Sequence, residues 1–261
     1  MKSLWAARRE ILERVRVAQE FLVFLDYDGT LVPIQPTPEL AELGVERKKL
    51  LSALASLPKF RVGLLTGRSL KNIQKAVGLS RLFYAANYGL KIVTPKKNWV
   101  HPEARRGAVL IKKMIPGLKR LSSEFRSVRG EDKTLTVAIH YRQYRGGVKP
   151  LRRSLQQLLK EYGGRFRLKP GKKIFEVYPA VDWDKGRALL KIQQLLGFRK
   201  RPLIIFFGDD HADEEAFRRM RKTDISVAVG RTKKTAARFF CKKSGDVVRF
   251  LELLLEAEAS R

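Results

Sequence analysis

Cysteine is nearly absent: the 261 residues contain one, Cys241. No intrachain disulfide can form and a cysteine-built metal cluster is excluded, so the reducing cytoplasm is the expected compartment. Long hydrophobic runs are missing too. None reaches the ~18 residues of a membrane span, and the opening Met-Lys-Ser-Leu-Trp-Ala-Ala-Arg-Arg-Glu has no apolar block of signal-peptide length. No membrane partner is expected. Acidic residues are few beside the basic ones, 26 against 55, for a net charge of +29. That imbalance favours anionic partners, nucleic acid among them. The positive charge is spread from Arg8 to Arg261, however, with no basic tail and no basic-aromatic recognition motif. A generally basic surface accounts for it better than specific nucleic-acid recognition, and nucleic acid is not the expected partner.

What is present is a chain that is 44% hydrophobic, ample for a packed core. Its organising stretch is 21–31, Phe-Leu-Val-Phe-Leu-Asp-Tyr-Asp-Gly-Thr-Leu. Five consecutive apolar residues read as a strand buried on both faces, as in a parallel sheet. Two carboxylates, Asp26 and Asp28, then stand at the strand's carboxyl end, where ligands of open parallel sheets bind. Asp-Tyr-Asp-Gly also suits a simple turn, and the rest of the chain decides between the two.

The periodicity predicts a helix over 4–19, a helical stripe over 45–57, a strand over 60–65, a helix over 70–77 capped by Ser69, and a strand over 82–86. This alternation predicts a doubly wound parallel α/β sheet. The rhythm then changes. A helix over 103–125, bent at Pro116-Gly117, precedes a strand at 134–141; a helix over 148–162 precedes strands near 165–169 and 173–178. Two α-β-β units of this kind suggest a small sheet covered by helices on one face. We therefore expect a core built from 1–97 and 181–261, with 98–180 inserted as an α/β cap. The core rhythm resumes with a helix from Asp184, a strand at 203–207, a helix near 212–220, a strand at 225–229 and a closing helix over 245–257.

Four polar clusters fall at strand ends or beside them: Asp26/Asp28, Thr66, Lys185 and Asp209/Asp210/Asp213. A parallel sheet gathers its strand ends at one edge. Carboxylates, one lysine and one hydroxyl in one crevice suit Mg²⁺-assisted phosphoryl transfer: a hard cation takes carboxylate oxygens, while lysine and hydroxyl hold phosphoryl oxygens.

Asp26-Tyr-Asp-Gly-Thr-Leu, Thr66-Gly-Arg, Lys185-Gly and Gly208-Asp-Asp-x-x-Asp213 resemble the four ordered motifs of the haloacid dehalogenase (HAD) superfamily. Gly130-Glu-Asp-Lys133, Ala138-Ile-His-Tyr-Arg142, Leu168-Lys-Pro-Gly-Lys172, Val181-Asp-Trp-Asp-Lys-Gly186 and the stretch from Gly208 to Phe217 resemble the trehalose-6-phosphate phosphatases, over about 20–255. The resemblance implies a HAD-like core with a specificity cap, Mg²⁺ as cofactor, and hydrolysis of a sugar phosphate, trehalose 6-phosphate. It implies Asp26 as nucleophile and Asp28 as general acid and base. Thr66, Gly67 and Lys185 would bind the phosphoryl group. Asp26, Asp209 and the backbone carbonyl of Asp28 would hold the metal, with Asp210 and Asp213 supporting it. Glu131, Lys133, Arg142, Lys172 and Glu176 would face the sugar, and a trehalose-phosphate synthase is the implied functional partner. His101 and His140 are expected to be structural and Trp183 to pack.

Two departures concern the substrate. Members of the family carry a His-Gly-Leu-Glu type stretch where this chain has Tyr88-Gly89-Leu90-Lys91. Tyrosine removes an ionisable group and lysine reverses a charge. They keep open the same chemistry on another sugar phosphate, such as a glucosyl- or mannosyl-glycerate phosphate. A non-enzymatic, basic nucleic-acid-binding protein is the distant alternative.

Overall fold

Phe21–Leu25, the apolar run of the organising stretch, is the middle of the sheet in the computed structural model, which describes residues 1–171, 173–230 and 234–259. The strands, in chain order, are β1 (Lys2–Ser3), β2 (Phe21–Leu25), β3 (Phe60–Leu65), β4 (Phe83–Ala86), β5 (Lys91–Val93), β6 (Asn98–Val100), β7 (Arg129–Asp132), β8 (Val137–His140), β9 (Phe166–Gly171), β10 (Ile174–Pro179), β11 (Leu203–Gly208), β12 (Ile225–Val229) and β13 (Phe239–Cys241). The α-helices are α1 (Arg8–Val17), α2 (Val45–Ser56), α3 (Leu70–Val77), α4 (Pro102–Glu124), α5 (Val148–Lys160), α6 (Lys185–Leu196), α7 (His211–Arg219) and α8 (Ser244–Ala259). The chain divides into two compact units, one of Met1–Trp99 with Trp183–Arg261 and one of Val100–Asp182.

In the first unit the sheet order is β1-β13-β12-β11-β2-β3-β4-β5-β6, parallel from β1 through β4 and antiparallel at β4–β5. Successive side chains of a strand point to opposite faces. Phe21, Val23 and Leu25 accordingly join a core with Ile11, Leu54, Ile73 and Phe250 from α1, α2, α3 and α8. Leu22 and Phe24 join the other, with Ala188, Ile192 and Phe217 from α6 and α7. Both faces are covered, which is why β2 has no polar alternation. Trp183 packs on Trp99, ring centroids 5.2 Å apart, as the sequence suggested.

The second unit is a four-stranded antiparallel sheet in the order β7-β8-β10-β9. Ile111, Met114 and Leu118 of α4 and Leu151, Leu155 and Leu159 of α5 bury one face against Val137, Ile139, Phe175 and Val177. The alternate positions Glu131, Ala138, Glu176 and Lys169 lie in register across the sheet on its other face. The expected bend at Pro116 does not interrupt α4. Pro116 lies on the exposed side of α4. The expected strand at 134–141 is shorter, because Thr134 takes a left-handed φ of 72° in the turn between β7 and β8. β7 itself, Arg-Gly-Glu-Asp, has no apolar pattern and was not expected.

Candidate active site

The ladder between β2 and β11 extends one residue beyond β2, where the Asp26 amide donates to the Phe207 carbonyl at 2.9 Å. This fixes the Asp26 carboxylate at the sheet edge, 5% exposed. The chain then folds tightly, Leu31 N donating to the Tyr27 carbonyl at 3.0 Å and Gly29 N to the Val32 carbonyl at 2.7 Å. Tyr27 anchors the turn: its buried hydroxyl donates to the Ala41 carbonyl at 2.7 Å, and burial pushes its pKa up to about 12. Gly29 has φ +87°, and a Cβ there would collide with the Asp209 carboxylate. Only glycine lets the β2 turn and the β11 end approach this closely.

Lys185 begins α6, whose N-cap Asp184 accepts from Arg187 N at 2.8 Å. A cation at a helix N-terminus opposes the helix dipole, and two carboxylates offset this. Lys185 Nζ donates at 2.7 Å to both Asp26 Oδ1 and Asp213 Oδ1. Burial disfavours the ammonium, yet Asp213 and Asp26 outweigh it and hold its pKa above the ordinary lysine value. Asp213 is fully buried, and its other oxygen accepts from Asp210 N at 2.9 Å. Asp210 returns the capping box of α7, and its carboxylate also accepts from His211 N at 2.6 Å. A Cβ on Gly208 would overlap the Asp213 carboxylate, a second close approach that requires glycine.

Asp26, Asp209 and Asp213 each offer an oxygen, all within 4.8 Å of one another. Three buried carboxylates face one buried ammonium, so negative charge is left over among groups largely removed from water. Burial, foremost, drives the Asp26 carboxyl well above its usual range; Lys185 opposes this, while Asp213 and Asp209 add to it. A hard, oxygen-seeking divalent cation fits this donor set and its charge. The carboxylates of Asp28 and Asp210 have other partners: Asp210 caps α7, and Asp28 is gripped by Arg68.

Thr66 follows β3. Its amide donates to the Ala85 carbonyl at 2.9 Å, its carbonyl accepts from Tyr88 N at 2.8 Å, and its hydroxyl accepts from Arg68 N at 3.2 Å. Asn87, Tyr88 and Gly89 run consecutively through left-handed backbone, with φ of 51°, 59° and 83°. This lays the Tyr88 ring over Gly67, where a Cβ would sit 2.7 Å from the ring. An aromatic residue in this region is strained.

In the second unit Glu176, 2% exposed, accepts from Lys133 Nζ at 3.2 Å and from the Thr136 hydroxyl. His140 Nε2 lies 2.9 Å from Glu131 Oε2. Arg142 is exposed just beyond β8, and Lys172 lies outside the described residues. Sequence reasoning gave no role to Thr136 or Arg68. Arg68 stands in the quoted Thr-Gly-Arg, but nothing in residue type announced its partner.

Residues 24–247 match the trehalose-phosphatase family model. The chain is 30% identical over 255 residues to probable trehalose-phosphate phosphatase D of Arabidopsis thaliana, covering 91% of this chain and 68% of that protein. It is 28% identical over 253 residues to trehalose-phosphate phosphatase B of the same plant, covering 91% and 67%. Among solved structures, a trehalose-6-phosphate phosphatase related protein aligns with a TM-score of 0.79 at 24% identity, covering 92% of this chain and 99% of that one. A haloacid dehalogenase-like hydrolase from Bacteroides thetaiotaomicron aligns at 0.62 and 16% identity, covering 90% and 99%. These two show the shared fold, a mixed α/β core with a central parallel sheet. On the extent of the match and the ordered motifs it covers, the chain belongs to the trehalose-phosphatase family of HAD-fold enzymes.

Proposed function

We propose that the protein is a Mg²⁺-dependent phosphatase that hydrolyses trehalose 6-phosphate to trehalose and phosphate through an aspartyl-phosphate on Asp26. The observation that carries this reading is the buried Asp26–Lys185–Asp213 bridge beside Asp209, in a chain of this family. The Asp26 carboxylate attacks phosphorus and the bond from phosphorus to the sugar oxygen breaks, while Asp28 gives that oxygen a proton. Asp28 then takes a proton from the water that attacks the aspartyl-phosphate, returning Asp26 and releasing phosphate. Thr66, Gly67 and Lys185 hold the phosphoryl oxygens. Asp26, Asp209 and the Asp28 carbonyl would hold Mg²⁺, supported by Asp213 and Asp210. When bound, the cation would screen the repulsion between the Asp26 carboxylate and the phosphate.

Glu131, Lys133, Arg142 and Glu176, with Lys172, carry hydrogen-bonding groups suited to sugar hydroxyls. The enzyme acts in the cytoplasm on the product of a trehalose-phosphate synthase. A second reading, the same chemistry on another sugar phosphate, draws on the strained Tyr88 over Gly67. Phosphate release from trehalose 6-phosphate, with Mg²⁺ or a chelator, tests the proposal beside glucose 6-phosphate, sucrose 6-phosphate and glucosyl-glycerate phosphate. Metal-dependent release from trehalose 6-phosphate above the others is expected. Release from another ester alone overturns the substrate, and release from none overturns the reaction.

A further inference from the structure

Arg68 is 6% exposed, and its guanidinium is engaged on every side. Nε donates to Asp28 Oδ2 at 2.7 Å and an Nη to Asp28 Oδ1 at 2.6 Å, a two-pronged fork on both carboxylate oxygens. The other Nη donates to Asn72 Oδ1 at 2.7 Å. One face of the guanidinium lies 4.7 Å from the centre of the Tyr27 ring. Its backbone is fixed as well, the carbonyl accepting from Asn87 N at 2.8 Å at the start of the left-handed turn. The Asp28 side chain, by contrast, is 41% exposed, and the Arg68 fork takes both of its carboxylate oxygens. The direction in which this carboxylate points is therefore set by Arg68, and Arg68 is set by Tyr27, Asn72 and the strained turn.

We propose that Arg68 is the positioning residue for Asp28: it aims the carboxyl at the leaving oxygen and binds the negative charge that appears there when the proton departs. The inference rests on the proposed phosphatase chemistry and deepens it. In the first step the bond from Asp26 to phosphorus forms, the bond to the ester oxygen breaks, and the Asp28 proton moves to that oxygen. What remains on Asp28 is the carboxylate that a bidentate guanidinium matches best. A lysine keeps the charge but not the planar fork.

The test is kcat/KM, which covers steps up to leaving-group release, for an alkyl and an aryl ester. Trehalose 6-phosphate loses an alkoxide that needs a proton; p-nitrophenyl phosphate loses a stable phenoxide that does not. With Arg68→Lys and Arg68→Gln we expect kcat/KM on the alkyl ester to fall by about 10- to 100-fold, short of the full contribution of a general acid of about 100-fold or more, because Asp28 itself is retained. On the aryl ester it should fall by less than about 3-fold, since only the proton-dependent part is lost. Equal losses on both esters would overturn the inference, because misfolding or a direct phosphate contact does not distinguish leaving groups. No loss on either would also overturn it. A wild type that cleaves another alkyl phosphate but not trehalose 6-phosphate would refute the substrate alone, and the comparison then runs on that ester.

Discussion

Replacing Asp26 by asparagine should stabilise the metal-free protein at neutral pH and have little effect in acid. The side chain is 5% exposed, and its carboxyl is held well above the usual range by burial, against Lys185 and with Asp213 and Asp209. At an effective dielectric of about 20, each like-charge contact within 4.8 Å costs about 3.5 kcal/mol or more, so two cost about 7. The Lys185 contact at 2.7 Å returns about 6 kcal/mol on the same scale. The charge terms nearly cancel, and desolvation decides in favour of the neutral form. A group whose pKa is raised by folding contributes stability in acid and loses it as pH rises through its folded value. Asparagine has no such loss. Its advantage over wild type should grow by at most about 1.4 kcal/mol per pH unit, or up to about 3 kcal/mol between pH 5 and pH 7. In a chain of this size each kcal/mol moves Tm by about 2–4 °C. Thermal melts in chelator at the two pH values measure it. A variant less stable than wild type at pH 7, or an advantage independent of pH, would show that a buried charge on Asp26 does not cost the fold stability.

Lys133→Met should destabilise the protein by about 3–5 kcal/mol in urea titrations, because it leaves the buried Glu176 carboxylate without its cation. Lys133→Met with Glu176→Gln should recover most of that loss; no recovery would show that the pair's charge is not the cause. Gly29→Ala forces a side chain into the Asp209 carboxylate at φ +87° and should lower kcat by about 100-fold or more. Circular dichroism would check that the fold survives, and near-normal kcat would contradict the required close approach.

The sheet was legible where burial is two-sided. Phe21–Leu25 and Leu203–Gly208 announce themselves because neither face meets water. The elements that were not legible lie where the pattern has no amplitude. β1, β5, β6 and β13 are two or three residues long, and β7 exposes much of its surface. The site divides in the same way. Asp26, Lys185 and Asp213 were legible as types at strand ends and a helix start, and the sheet edge brings residues 159 positions apart into one bridge. The fork between Arg68 and Asp28, 40 positions apart, was not. An arginine after Thr-Gly could serve phosphate, solvent or structure, and its direction comes from the stacked Tyr27 and from Asn72 of α3, contacts made in the fold.

If Asp26 carries the phosphoryl group, that group can be trapped on it. Mixed with trehalose 6-phosphate and Mg²⁺, then quenched in acid within one turnover, the enzyme should show a phosphate adduct by mass spectrometry. Borohydride reduction should convert residue 26 to homoserine, and Asp28→Asn should prolong the adduct by slowing water attack. Rapid hydrolysis with no adduct at residue 26, and retained turnover in Asp26→Asn, would mean that Asp26 does not carry the phosphoryl group.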